Sequence, residues 1–256
     1  MAEKPRWPGI ASFSTSVMCR KEPHNVKPLF GLVAARAMAL LTEARVRVSF
    51  VQVGANDGVA ADHLNPFIRS GKWSGVLVEP GVEAFARLRD NYAGVEGLQF
   101  VQAAIWTEAG RRPFYLVEGE DVLSSFDLDT IMAHAPKYDD LAGMVRTIEV
   151  ETETMDGLCD RTGMSRPDVV AVDTEGTDDV VLQSFDIEGR QPALVLFEHC
   201  HLDAERSAAV KERLESAGYR VIHDRHDALA IGDGVFDAAT VAFLAGVVET
   251  ARAAGG

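Results

Sequence analysis

The sequence predicts an α/β domain on a mostly parallel sheet of seven strands, with helices on both faces. Three observations carry that expectation. Runs of β-branched residues alternate with helical patterns from Val46 onward, the strands are apolar almost throughout, and the last two strands stand too close together for a crossover helix. The length of 256 residues allows one large domain with a substantial buried core.

Taken in order, residues 1–45 read as an N-terminal helical segment. "LFGLVAARAMALL" sets Phe30, Val33, Ala37 and Leu40 at helical spacing, so it should pack an apolar face on the core. The run is too short to span a bilayer and contains Arg36. Its apolar face is also a candidate homodimer contact. Residues 46–256 form the domain proper. "VRVSFVQV" is its first strand and "VAADHLNPFIRSG" the helix behind it, followed by the strand "SGVLVEP" and the helix "GVEAFARLRDNYAG". "LQFVQAAI" is a third strand, "DVVAVDTEG" a fourth with the helix "TDDVVLQSFD", and "PALVLFEHCH" a fifth with the helix "DAERSAAVKERLESAG". "YRVIHD" and "ALAIG", separated by Arg225, His226 and Asp227, should pair antiparallel. An insertion at about 106–167 holds two more strand-like runs, "RPFYLVEG" and "RTIEVETET". The polar stretch between them looks mobile and rich in possible ligand contacts. No repeat or linker divides the chain.

Composition narrows the function. The chain is 47% hydrophobic and 25% charged, which is globular, and its net charge of −14 opposes binding through nucleic-acid phosphates. Cys19, Cys159 and Cys200 are odd in number and show no CxxC spacing, so neither a disulfide framework nor a zinc finger is expected. The opening "MAEKPRWPGIASFSTS" lacks the apolar centre of a signal peptide, and a reducing cytoplasm is the expected compartment, with no membrane role.

In an open α/β sheet, ligands bind beyond the carboxyl ends of the strands. The first strand ends in Gly54, Asn56, Asp57 and Gly58. The second ends in Glu79, placed to accept hydrogen bonds from both hydroxyls of a ribose. The third reaches Ala104, Ile105 and Trp106, where an adenine could lie. Each has a plainer reading: a common Gly-rich turn, a cap for the next helix, a packing tryptophan. Their succession along the strand ends describes a nucleoside site. A pyrophosphate cofactor wants GxGxxG, but Asn56 stands where the second glycine should be, and Asp57 would repel a diphosphate. S-adenosylmethionine has no phosphate, and its cationic groups tolerate carboxylates.

"VGANDG", "VLVEP" and "AVDTEGTDDVVLQSFD" followed by "LFEHCH" resemble the FkbM-type methyltransferase family over roughly residues 48–232. The resemblance implies a Rossmann-like class I methyltransferase fold, S-adenosylmethionine as donor, and O-methylation of a sugar, polyketide or similar small molecule. It implies that Gly54 and Asn56 line the methionine side of the cofactor, that Glu79 binds the ribose, and that Asp173 and Glu175 face the reaction centre. Two positions depart from the family pattern. Gln52 replaces a commonly acidic residue that contacts the cofactor's amino group, a contact that Asp57 is the candidate to take over. Ala171 replaces a common lysine.

An acceptor hydroxyl needs a base, and histidine suits that work near neutral pH. "FEHCH" brings Glu198, His199 and His201 to the end of the fifth strand, beside Asp173 and Glu175. In one reading a histidine is the base and a carboxylate orients it. In another, Asp173, Glu198 and His199 hold a divalent cation, Mg or Mn, as some class I O-methyltransferases do at these strand ends. In a third, Glu198 and His199 merely brace the loop. Glu198 and His199 point to opposite strand faces, which weighs against the second. His134 is a further candidate for substrate contact, and Ser124 and Ser125 for covering the cofactor. N-methylation by the same fold, an NAD-type oxidoreductase and a non-catalytic nucleoside-binding module are the alternatives.

Overall fold

The computed structural model describes residues 26–254. Residues 1–25 of the N-terminal segment, and with them Cys19, lie outside the described residues.

Among the described residues, ten strands and ten α-helices follow in chain order. They begin with α1 (Val26–Ala44), β1 (Val48–Val53), α2 (Asn65–Arg69), β2 (Trp73–Val78), α3 (Val82–Asn91) and β3 (Leu98–Val101). The insertion supplies β4 (Ala104–Ile105), β5 (Gly110–Val117), α4 (Leu128–Ala133), α5 (Leu141–Met144), β6 (Val145–Glu153) and α6 (Met155–Thr162). The second half contains β7 (Val169–Val172), α7 (Asp178–Gln183), α8 (Ile187–Arg190), β8 (Leu194–Glu198), α9 (Ala204–Ser216), β9 (Tyr219–His223), β10 (Asp227–Gly232) and α10 (Ala238–Ala254).

The main sheet has seven strands in the order β3-β2-β1-β7-β8-β10-β9. All neighbours are parallel except at β10, which runs antiparallel to both β8 and β9. The predicted antiparallel pair therefore exists, with β10 slotted inside the sheet and β9 at its edge. Alternation along the strands feeds two cores. Val48 and Phe50 join the layer under α1, α3 and α10, while Val51 and Val53 join the layer under α6, α7 and α9. On α1, Phe30, Val33, Ala34, Ala37, Met38 and Leu41 are all buried in the first layer, beside Leu244 and Val248 of α10. The apolar face offered for a homodimer is thus covered within the chain, by a C-terminal helix that the sequence reading does not assign.

Three segments differ from expectation. The helix expected over 59–71 forms only at Asn65–Arg69. Upstream, the carboxylates of Asp57 and Asp62 accept hydrogen bonds from nearby backbone amides, and Pro66 favours a helix start at that point. The run "LQFVQAAI" breaks in two: β3 pairs with β2, whereas β4 pairs with Thr152 and Glu153 of β6 in a separate three-stranded sheet, β4-β6-β5. The polar stretch between β5 and β6 is organised by short helices, two of them capped by the side chains of Asp127 and Asp140, around Val117, Leu123, Ile131 and Leu141.

Among the described residues, no helix is long and apolar enough to cross a membrane. The two described cysteines, Cys159 and Cys200, are not in a disulfide.

Candidate active site

The loop after β1 is shaped by backbone contact. Gly54 has φ 78°, and a Cβ there would lie 1.7 Å from the carbonyl oxygen of Asp173, so only glycine lets the ends of β1 and β7 meet. Asn56 follows at φ 45° and donates its backbone N–H to Oε2 of Glu79, at 2.9 Å. Asp57 does not reach toward a ligand. Its Oδ1 accepts from the backbone N–H groups of Val59 and Ala60, each at 2.9 Å. Gly58 also serves packing rather than a cofactor, since a Cβ there would strike the Tyr92 ring at 2.4 Å and Leu88 at 2.6 Å. Both of these cofactor assignments are corrected by the turn geometry, which directs the second half of the loop against α3.

The departure at Gln52 finds its counterpart elsewhere. Alternation along β1 sets Gln52 on the face of Phe50, next to the loop that carries Asp62. The Gln52 side chain stands beside the Asp62 carboxylate, which burial pushes above the usual carboxylate range. Oε1 of Gln52 is buried without a hydrogen-bond partner. An unmatched buried acceptor costs about 1–3 kcal/mol, so this atom calls for a donor from the cavity. Asp62 carried no motif and was invisible to sequence reasoning.

Glu79 does two things at once. Its Oε1 accepts from Gly81 N–H at 2.8 Å, at the start of α3, and its Oε2 accepts from Asn56. Each oxygen keeps a further lone pair for a group in the cavity. Burial raises its pKa to about 7. Ala104 is buried in β4 and lines the same cavity, as do Ser124 and Phe126. The hydroxyl of Ser124 accepts from Val117 N–H, and that of Ser125 donates to the carbonyl of Glu175. Trp106 packs on Phe126, with ring centroids 4.8 Å apart, beneath the Arg112 guanidinium; it is a packing residue.

At the tips of β7 and β8, side chains converge. Glu175 has φ 52° and precedes Gly176 at φ 104°, a sharp turn that sends its carboxylate back over the sheet. Its Oε2 lies 3.1 Å from Nε2 of His201, which lies 3.5 Å from Oε2 of Glu198. That Glu198 oxygen is buried and makes no hydrogen bond, the 3.5 Å approach lacking the required geometry. Burial, then the charges of Asp173, Glu175, Asp178 and Asp227, hold the Glu198 carboxyl far above its usual range. Asp173 is exposed and also lines the cavity. Behind these residues Asp178 is fully buried and accepts from Thr174 and from the N–H of Glu198, tying the two strand ends together.

His199 is not part of this group. It shares the strand face of Phe197 and sits among Ser207 of α9, the Asp224 carbonyl and His223. Its assignment as a base, and the metal set of Asp173, Glu198 and His199, are therefore corrected. Burial, and then His223, depress its pKa to about 4.

A cavity of about 610 Å³ runs across these strand ends, lined among others by Gln52, Gly54, Asp62, Glu79, Asp173 and Glu198. It opens where sheet order reverses, between β1 and β7. Fold and cavity together define a Rossmann-like α/β domain with a ligand crevice at its switch point.

The chain belongs to the FkbM methyltransferase family: the model of the methyltransferase FkbM domain matches residues 52–221, well over half of it. The matched domain is a methyltransferase domain, and the family's fold implies S-adenosylmethionine as donor. No curated protein matches the chain. Among solved structures, methyltransferase FkbM from Methylobacillus flagellatus KT is 14% identical, with a TM-score of 0.48. That match covers 80% of this chain and 58% of that one, so this chain spans less than two thirds of its length. Human methyltransferase-like protein 13, in complex with SAH, is 11% identical with a TM-score of 0.43, covering 90% of this chain and 93% of that one. Precorrin-6y C5,15-methyltransferase from Geobacter metallireducens GS-15 is 13% identical with a TM-score of 0.39, covering 77% and 87%. These identities carry no residue's role across.

Proposed function

We propose that the chain methylates a hydroxyl of a small molecule, with S-adenosylmethionine held across the tips of β1 and β2. The observation that carries this reading is one cavity joining two chemically different ends. At one end stand Glu79, with its backbone-held carboxylate, and the unmatched Oε1 of Gln52; at the other stand Asp173 and the Glu175–His201 pair.

The bound donor supplies a methyl group already activated on a sulfonium. Glu79 accepts from the ribose hydroxyls. Oε1 of Gln52, with Asp62 beside it, receives the ammonium group, which answers the orphaned acceptor. The Gly54–Asn56 backbone lines the methionine side, and Ala104 and Ser124 flank the adenosine. The chain's own work is then to align the acceptor oxygen, worth about 7–11 kcal/mol, and to take its proton, worth roughly 10²–10⁴-fold. Glu175 accepts that proton, oriented by its 3.1 Å contact with His201, while Asp173 holds the acceptor from the open side of the cavity. A net charge of −14 supports a small molecule over a nucleic acid.

The same carboxylates attract an amine, so N-methylation is the second reading. Calorimetry with S-adenosylmethionine and with NAD, followed by labelled-methyl turnover on matched alcohols and amines, tests the assignment. Donor binding with methylated alcohols is expected. Binding of NAD alone would refute the cofactor, labelled amines alone would move the activity to nitrogen, and binding without turnover on either set would favour a non-catalytic module.

A further inference from the structure

Glu175 and His201 have a neighbour from an unexpected direction. His134, at the carboxyl end of α4 in the insertion, sets its ring 5.5 Å from that of His201. One ligand atom from each of His134, Glu175 and His201 lies within 4.8 Å of the others. Two imidazoles and a carboxylate at such separations make a donor set unlike the oxygen-rich one read from the sequence. We propose that His134, Glu175 and His201 bind a divalent first-row transition ion, with the Glu198 carboxylate beside them.

Geometry and chemistry agree on this. Two ligands each about 2.1 Å from one ion stand about 3.0 Å apart in an octahedral site and about 3.4 Å apart in a tetrahedral one. Nε2 of His201 is 3.1 Å from Oε2 of Glu175 and 3.5 Å from Oε2 of Glu198. The Glu198 oxygen is buried and makes no hydrogen bond, which an ion would remedy. A pair of imidazoles favours manganese through zinc over magnesium or calcium, whose ligands are oxygens. The exposed Lys137 ammonium, 3.2 Å from Nδ1 of His134, must swing aside if that nitrogen is the ligand. Because α4 belongs to the insertion, the ion would clamp it to the tips of β7 and β8. For its role the inference rests on the function proposed above: the ion would replace the His201 contact in orienting Glu175, leave its other oxygen to take the proton, and lower the pKa of an adjacent acceptor hydroxyl.

The test uses the untagged full-length chain, stripped by chelator and titrated with cobalt(II) while visible absorption and calorimetry are recorded. One saturable equivalent is expected, with affinity lowered at least about tenfold in His201→Gln, in His134→Gln and in Glu175→Gln, and unchanged in His199→Gln on the opposite strand face. S-adenosylmethionine binding is measured on each variant to confirm its fold. Absence of saturable cobalt binding, or binding indifferent to His201→Gln and His134→Gln, overturns the site. Cobalt binding without donor binding upholds the site and refutes the donor assignment alone.

Discussion

The two ends of the cavity are built by different means. At the tip of β1 the chain positions its groups with backbone: Gly54 passes under the Asp173 carbonyl, and the amides of Asn56 and Gly81 hold Glu79 in place. At the tips of β7 and β8 the groups are side chains from several elements, including α4 of the insertion, and they crowd charge and imidazole together. Backbone placement tolerates almost no change in residue size, whereas side-chain placement tolerates change in shape but not in charge. A donor common to a family suits the first construction, and an acceptor that varies suits the second.

The sharpest way to break this contrast is Gly54→Ala. A Cβ 1.7 Å from a carbonyl oxygen, at positive φ, should destabilise the domain by about 2–4 kcal/mol in denaturant titration and abolish donor binding. A stable variant that still binds would refute backbone placement. At the other end, Glu175→Gln should lower methyl transfer by roughly 10²–10⁴-fold and leave the donor Kd unchanged. A joint loss of both would merge the two ends into one unit.

Glu79→Gln should weaken the donor about 10- to 100-fold at pH 8. The sign with pH follows from its raised pKa of about 7. Below that value the carboxyl is protonated, and above it both oxygens accept, so wild-type affinity should climb from pH 6 to 8 while the variant stays flat. Stability runs the other way. A folded pKa above the unfolded 4.5 means the wild type loses stability relative to the variant as pH rises from 4.5 to about 7. Flat wild-type affinity would remove Glu79 from the ribose.

The smallest effects separate two aspartates of one loop, Asp57 and Asp62, five residues apart. Asp62→Asn should weaken the donor about tenfold by loss of charge beside Gln52. Asp57→Ala should cost about 1 kcal/mol of stability through its two turn amides and leave the donor Kd unchanged. The reverse pattern would return the ammonium contact to Asp57.

Legibility in the sequence followed the same division. Gly54 and Glu79 could be read from position, because a strand followed by a turn leaves its end where the sheet requires. Gly58 was misread since a glycine needed for close packing on Tyr92 looks the same in sequence as one needed for a ligand. Gln52 showed as a departure, but its partner Asp62 arrives by a turn that replaces an expected helix. Asp178, buried beneath the tips of β7 and β8, sits in the quoted "DTEGTDD" run with nothing to distinguish it from a helix-starting acid.

The sequence by itself determined the sheet, its antiparallel finish, the family and the strand ends that line the cavity, because hydrophobic period and turn residues are local properties of a chain. Only the tertiary structure decided that β10 lies inside the sheet, that His199 turns beneath α9 while His201 returns to Glu175, and that His134 joins them. Those facts depend on which distant segments approach to within a few ångströms, and no spacing along the chain encodes that distance.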